Sequence, residues 1–362
     1  MTDFVGLTWD HPRGRDALEA AAALFSAEGG DTLRWHAHSL EGFESSPIDE
    51  LAQKYDLIVL DHPHLGDALA ADCLRPLDEL FSSVELTAWA DASVGPSASS
   101  YVLDGRTWAL PLDAATQVAA RRPDLLPVAP TTWAEALALD VPSAPSLAGP
   151  HAFLSFCSIA VSLGGDLASD SDEDFLPPAI AEQALTILAE LAGRAPAATR
   201  ALNPIGLLEL MSTTDELAYV PLVYGYVTFS PRVAFGAPPA GTRVGSTIGG
   251  TGIALTRRSA PTPELLDHLR WLMSAEAQSG FIPAHAGQPS ARSAWTDPAV
   301  DADAGGFYSA TLDTIEHSWV RPRFAGYVPF QSQASAIIRA GLRGPATAVA
   351  TRLSDAFRKA RP

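Results

Sequence analysis

Short apolar runs alternate with stretches of helical spacing along the N-terminal part of the chain. Phe4-Val5-Gly6-Leu7 predicts a strand, and the pattern from Asp16 to about Ala27 predicts a helix. A second strand follows at Leu33-Arg34-Trp35-His36, a helix at Ile48–Lys54, and a third strand at Asp56-Leu57-Ile58-Val59-Leu60-Asp61. Strand, helix, strand, helix, strand at this spacing is a parallel α/β unit. Further on, Thr116-Gln117-Val118-Ala119-Ala120 predicts a strand. Thr132 and Glu135 around Trp133 form a helix-start signature. Helices are expected at about 150–163, 179–193 and 204–212, and a strand-like aromatic stretch over Leu217–Phe229. Pro177-Pro178 and Pro238-Pro239 mark loops, and the acidic stretch Ala168–Asp174 predicts a solvated loop. Residues 331–358 predict C-terminal helices broken near Gly341–Pro345.

The densest signal lies near residues 249–289. Gly249-Gly250-Thr251-Gly252 predicts a turn, followed by a short apolar run, Ile253-Ala254-Leu255, and the basic pair Arg257-Arg258. Thr262 and Glu264 supply helix-start chemistry, and Leu265, Leu266, Leu269, Leu272 and Met273 recur at helical spacing. Then come Glu276-Ala277-Gln278-Ser279-Gly280 and Gly287-Gln288-Pro289. The glycine run is not a phosphate loop, because the lysine is missing and no dinucleotide spacing fits.

These stretches resemble the extracellular solute-binding proteins of ABC importers, of the carbohydrate type. In that family a Gly-rich strand returns the chain to the first lobe, followed by a helix of this pattern and a loop with a "G..P" motif. Asp56–Asp61, Leu74-Arg75-Pro76-Leu77-Asp78, and Tyr101 to Asp113 are similar to further family stretches in the same order, so the resemblance runs from Phe4 to Lys359. It implies an α/β, two-lobed periplasmic-binding-protein-like fold with a hinge and an inter-lobe ligand cleft. Lobe 1 is then expected at 1–112 plus 250–300, and lobe 2 at 113–249 plus 301–362 with the C-terminal helices.

Composition narrows the choice of partner. The 362 residues exceed one typical domain and suit two. Hydrophobic residues at 47% with charged residues at 18% indicate a packed globular protein. A net charge of −18 disfavours nucleic acid and anionic membrane surfaces. Membrane insertion is not expected, since no segment reaches the ~20 apolar residues a spanning helix needs. Cys73 and Cys157 are expected on different lobes as small hydrophobes, with neither disulfide nor metal. Met1-Thr2-Asp3 runs straight into the first strand with no basic or apolar leader, so the chain as written is expected in the cytoplasm. Removal of a signal would instead place it outside, in the periplasm or extracellular space. No cofactor is expected, and a monomer is the default state.

Parallel α/β sheets bind ligands past the carboxyl ends of their strands. That rule selects Trp9, Asp10 and His11 after the first strand, His38 and Ser39 after the second, and Asp61, His62 and His64 after the third. Asp113 stands at the first crossing between lobes, preceded by Ser97, Ser100 and Tyr101; it is expected to accept hydrogen bonds from ligand hydroxyls. Trp9 and Tyr224 are the candidates for stacking on a sugar ring, while Trp35, Trp133 and Trp271 are expected in the core. Gly250 and Thr251 belong to the second crossing, and Gln288 with nearby His285 to a rim loop. Arg321-Pro322-Arg323 is the sharpest basic cluster; its guanidinium groups either bind an anionic ligand group or bridge the lobes to carboxylates.

Two functions fit. One is a clamp that closes on a small polar ligand, a sugar or related metabolite, and hands it to an ABC importer permease if the protein is exported. The other is a cytoplasmic lyase, hydrolase or isomerase acting on a small polar acid with Asp10, His11, His62 and Asp113 as its groups. No nucleophile elbow or Cys/His signature supports the second.

Overall fold

The computed structural model describes residues 1–27, 30–172 and 174–361, with the side chains of 44 and 45 left aside. Glu173, within the acidic stretch 168–174, therefore lies outside the described residues. The chain forms two compact units: Met1–Ala114 with Gly249–Asp303 and Arg323–Ala325, and Ala115–Ile248 with Ala304–Pro322 and Gly326–Pro362.

In the first unit, β1 (Asp3–Trp9) lies between β2 (Thr32–His38) and β3 (Leu57–Leu60), parallel to both. The strand Ile248–Leu255 adds to β3 in antiparallel register, Leu57 facing Leu255 and Leu60 facing Gly252. Each residue of β3 is buried, which is the signature of a strand covered on both faces. Period-two alternation sorts its side chains. Leu57 and Val59 join the core with Phe4, Leu18, Phe25, Leu33, Leu265 and Leu269, while Ile58 and Leu60 join a second core with Ile48, Leu65, Leu74 and Trp108.

Helix α1 (Pro12–Ala27) opens a turn earlier than the apolar spacing indicated. Pro12 suits the first helical position, where a missing N–H goes unnoticed. The helix Pro263–Leu272 starts at Thr262, whose side chain accepts from the Leu265 amide.

The Gly249–Gly252 stretch is not a turn but part of the strand Ile248–Leu255. Its glycines serve close approach instead. A Cβ on Gly252 would stand 2.8 Å from the Ala109 methyl and 3.0 Å from the Tyr101 ring, and Gly250 holds φ +90°.

In the second unit, the later part of the strand Leu110–Arg121 pairs antiparallel with Tyr219–Tyr224 and with Ala234–Gly236. Strand geometry within Leu217–Phe229 is thus confined to its middle. Every residue of the helix His151–Ser162 is buried. Beside it Phe153, Phe175, Phe330 and Phe357 meet ring to ring at centroid distances of 5.2–5.9 Å. The C-terminal helices run Tyr327–Gly341 and Ala346–Ala360, separated at Gly341–Pro345. Glu135 and Thr132 close a capping box on Trp133–Leu137. Asn203 caps Pro204–Thr213 through the Gly206 amide.

Cys73 is half-buried and Cys157 buried, both as free thiols and on different units. No described helix is long and apolar enough to cross a membrane.

Candidate functional site

The carboxyl end of β1 is built by a histidine acting as a helix cap. The His11 carbonyl accepts from the Gly14 and Arg15 amides, and its Nδ1 accepts from the Arg13 amide at 3.1 Å. Accepting at Nδ1 requires an unprotonated nitrogen there. Burial, reinforced by the Arg13 charge, lowers the His11 pKa to about 4, so the ring is neutral at pH 7.

Next to the cap, Arg13 reaches Asp113 in a two-point grip. Nε donates to Oδ2 at 2.8 Å and Nη2 to Oδ1 at 2.5 Å. Both side chains are about 95% buried, at 4% and 5% exposure. Burial pushes the Asp113 carboxyl up from its ordinary value, while the Arg13 charge and hydrogen bonds pull it down and nearby Asp61 pushes it up again. Arg13 was not among the sequence candidates. A signal was there: a cation in the first turn of a helix opposes the helix dipole and needs another reason to be present.

Asp113 is also tied to the loop that carries Gln288. Gln288 donates from Nε2 to the Ala114 carbonyl at 2.7 Å, and Asp113 bridges to Pro289. Ser290 donates to the Pro111 carbonyl, and the Gln278 side chain accepts from the Ser290 and Ala291 amides. Gln288 is thus buried at 1% exposure, and His285, from the same rim, contacts the Phe281 carbonyl through Nδ1.

At the end of β3, Asp61 Oδ1 lies 3.1 Å from Nδ1 of the fully buried His62. The His62 ring meets Tyr101 edge-on, and the Tyr101 hydroxyl donates to the Leu60 carbonyl at 3.1 Å. Ser97 and Ser100 are buried and donate to the Val94 and Ser97 carbonyls, so their hydroxyls stabilise their own loop. His38 and His64 line a cavity with only about 10 Å³ of space for water, room for roughly one molecule. Ser39 caps α2 (Leu40–Ser45) through the Gly42 amide, and exposed Asp10 pairs with Arg15 at 2.5 Å.

Trp9 does not offer a stacking face. It is 3% exposed, lies in the core cluster and packs against Phe43 at 5.3 Å. A Cβ on Gly14 would sit 2.3 Å from its ring, so Gly14 is what lets the indole in. Trp35 and Trp133 are buried, and Trp271 is half-buried against the core.

The arginines around Pro322 act separately. Arg321 is 2% exposed and donates to the Gln331 side chain at 3.1 Å and the Ile248 carbonyl at 3.2 Å, all within the second unit. Arg323 donates to the carbonyls of Ser99, Ser100 and Val102 in the first unit. Arg321 thus belongs to the second unit and Arg323 to the first.

The second unit holds a buried polar network that the sequence candidates lacked, apart from Tyr224. Thr116 Oγ1 meets the hydroxyls of Ser246 at 2.5 Å and Ser318 at 2.6 Å. Ser158 donates to Gln117 Oε1 at 2.6 Å, and its Oγ lies 3.0 Å from Thr247 Oγ1. Tyr224 stands at this end, its hydroxyl 3.5 Å from the Ile248 carbonyl and its ring edge-on to His151. Gln117 is fully buried and its Nε2 donor has no hydrogen-bond partner among the described residues. In the first unit the buried Thr251 hydroxyl is in the same condition. The hint in the sequence was Thr116-Gln117 beside the apolar run Val118-Ala119-Ala120 of the same strand.

Among the described residues, no group of three or more His, Cys, Asp or Glu side chains could hold a metal ion.

No protein-family model matches the chain, and no curated protein matches it in sequence. Solved structures do match. The chain is similar to an ABC transporter solute-binding protein of Agrobacterium radiobacter K84 in complex with ribitol, with a TM-score of 0.82 and 21% identity over 99% of this chain and 98% of that one. It is similar to another from Thermotoga lettingae bound with α-D-tagatose, at TM-score 0.82 and 14% identity over 99% of both chains. A third is maltose-bound MalE3 of T. maritima, at TM-score 0.81 and 16% identity over 99% of this chain and 100% of that one. The fold is therefore α/β, two-lobed and periplasmic-binding-protein-like.

Proposed function

We propose that this protein is a solute-binding clamp that closes on a small polyhydroxylated ligand, a sugar or sugar alcohol. The observation that carries the reading is the end-to-end likeness to proteins solved with ribitol, tagatose and maltose. The polar chemistry supports it. Leaving a buried donor unpaired costs about 1–3 kcal/mol, and a ligand hydroxyl would offset that at Gln117 Nε2 and Thr251 Oγ1. Asp113 and Arg13, each with its partner already fixed, present a preorganised wall rather than groups that must be ordered on binding. Tyr224 is the aromatic candidate for stacking, and Asp61 and Thr251 are polar candidates for the ligand.

The enzyme alternative is less well supported. Asp113 holds Arg13 and Asp10 holds Arg15, so these carboxylates are committed to structural partners, and the His62 imidazole is fully buried. The clamp reading extends to an ABC importer permease as partner, to work on the outer side of the membrane, and to a monomer in solution. Light scattering behind a sizing column checks the last of these.

Isothermal titration with ribitol, D-tagatose and maltose tests the reading. One of them, or a close polyol or sugar, is expected to bind one to one, and Gln117→Leu is expected to weaken it. Failure of the whole polyol and sugar series to bind would remove the proposal.

A further inference from the structure

An open groove of about 610 Å³ runs on the first unit between α1 and the helix Pro263–Leu272. Its volume falls in the range of small-molecule sites. Aromatic rings form its floor: Phe25 and His268 lie 4.9 Å apart, and His268 stacks at 25° on Trp271, 6.0 Å away. Three carboxylates line it as well, Glu264, Asp267 and Glu276, all exposed. Arg270 is the neighbouring cation, and it divides itself between Asp267 at 2.8 Å and Glu85 at 2.6 Å. Among the described residues, Glu264 and Glu276 have no ion-pair partner.

Carboxylates alone would be an ordinary solvated face on an acidic chain. The floor changes that. His268 is 8% exposed, and its Nε2 has no hydrogen-bond partner among the described residues. Burial holds its pKa down to about 4, so the imidazole adds no positive charge to the floor at pH 7. An aromatic surface ringed by carboxylates favours a cation with an apolar shell.

We propose that this groove is a second binding site, for a small alkylated ammonium ion. The ammonium lies at the aromatic floor beside Trp271, with Glu264 and Glu276 at its rim. The site is independent of the clamp reading, since none of its residues belongs to the set assigned there.

Choline chloride is the probe, and 3,3-dimethylbutan-1-ol its neutral isostere of the same shape. Calorimetric titration of the full chain at low salt is expected to show saturable one-to-one binding of choline, with the isostere about tenfold weaker or more. The exposed pair Glu264→Gln with Glu276→Gln leaves the core untouched and is expected to weaken choline by a similar factor. The indole N–H resonance of Trp271, assigned through Trp271→Phe, is expected to shift with choline and not with a bound sugar. Absence of saturable choline binding, equal binding of the isostere, or an unmoved Trp271 resonance at saturation would each overturn the proposal. A sugar that binds while choline does not would remove this site and leave the clamp standing.

Discussion

Arg13 and Asp113, a hundred residues apart, form a two-point ion pair in the interior of the first unit. Arg13 comes from the first turn of α1 and Asp113 from the strand that leaves this unit one residue later. The pair ties the loop after β1 to the crossing segment, and the Gln288 amide secures the next residue, Ala114. Removing one partner leaves a buried charge without compensation. Arg13→Ala is expected to destabilise the protein by about 3–5 kcal/mol in urea unfolding, while Arg13→Met with Asp113→Leu should recover much of that loss. Near-equal stability of the single variant and the parent would show that the pair is not the tie described here.

Gly14→Ala tests the packing of Trp9. In an exposed helix interior the change should stabilise by about 1 kcal/mol. Here the new methyl would meet the indole at 2.3 Å. The expected result is a loss of about 1–3 kcal/mol, the range of overpacked cores, opposite in sign to the helix propensity. Thermal unfolding of the single variant decides the sign.

Stability should fall as the solution is acidified through the histidine range. His11 and His268 are lowered from 6.5 to about 4 by burial. Between those values the unfolded chain binds protons that the folded chain refuses, so the contribution is complete above 6.5 and is lost towards 4. Asn at position 11 can cap α1 without titrating. His11→Asn is therefore expected to lose less Tm than the parent between about pH 7 and pH 5. Parallel curves for the two proteins would contradict the role given to His11.

Ligand affinity should respond to buried donors more than to the capping hydroxyls. Gln117→Leu removes a donor that lacks a partner, and Thr251→Val removes a similar hydroxyl. Each is expected to weaken the solute by about fivefold to tenfold, as one hydrogen bond of about 1–1.5 kcal/mol would. Ser97→Ala, whose hydroxyl serves the Val94 carbonyl, is expected to leave affinity unchanged. Titration calorimetry of the three variants separates these outcomes.

Much of the fold was legible because local chemistry and tertiary role agree. The apolar run of β3 is buried on both faces, and the helix starts at Thr132 and Thr262 carry their caps in the sequence. The glycines at 249–252 misled, because glycine marks a turn and a close approach alike, and only the Tyr101 ring against Gly252 tells them apart. Trp9 misled for a related reason: its place at a strand end suggested a ligand face, while the space made by Gly14 draws it into the core. Arg13 and the Thr116–Ser246–Ser318 network depend on partners a hundred or more residues away, and no local pattern announces such partners.

Native mass spectrometry of the protein incubated with a mixture of polyols and sugars tests the clamp most directly. The account predicts one adduct at one-to-one stoichiometry, released chemically unchanged on denaturation, with the mixture otherwise intact. Consumption of a component in excess of protein, with a new product in the mixture, would contradict it and turn attention to His11, His62 and Asp113 as reacting groups.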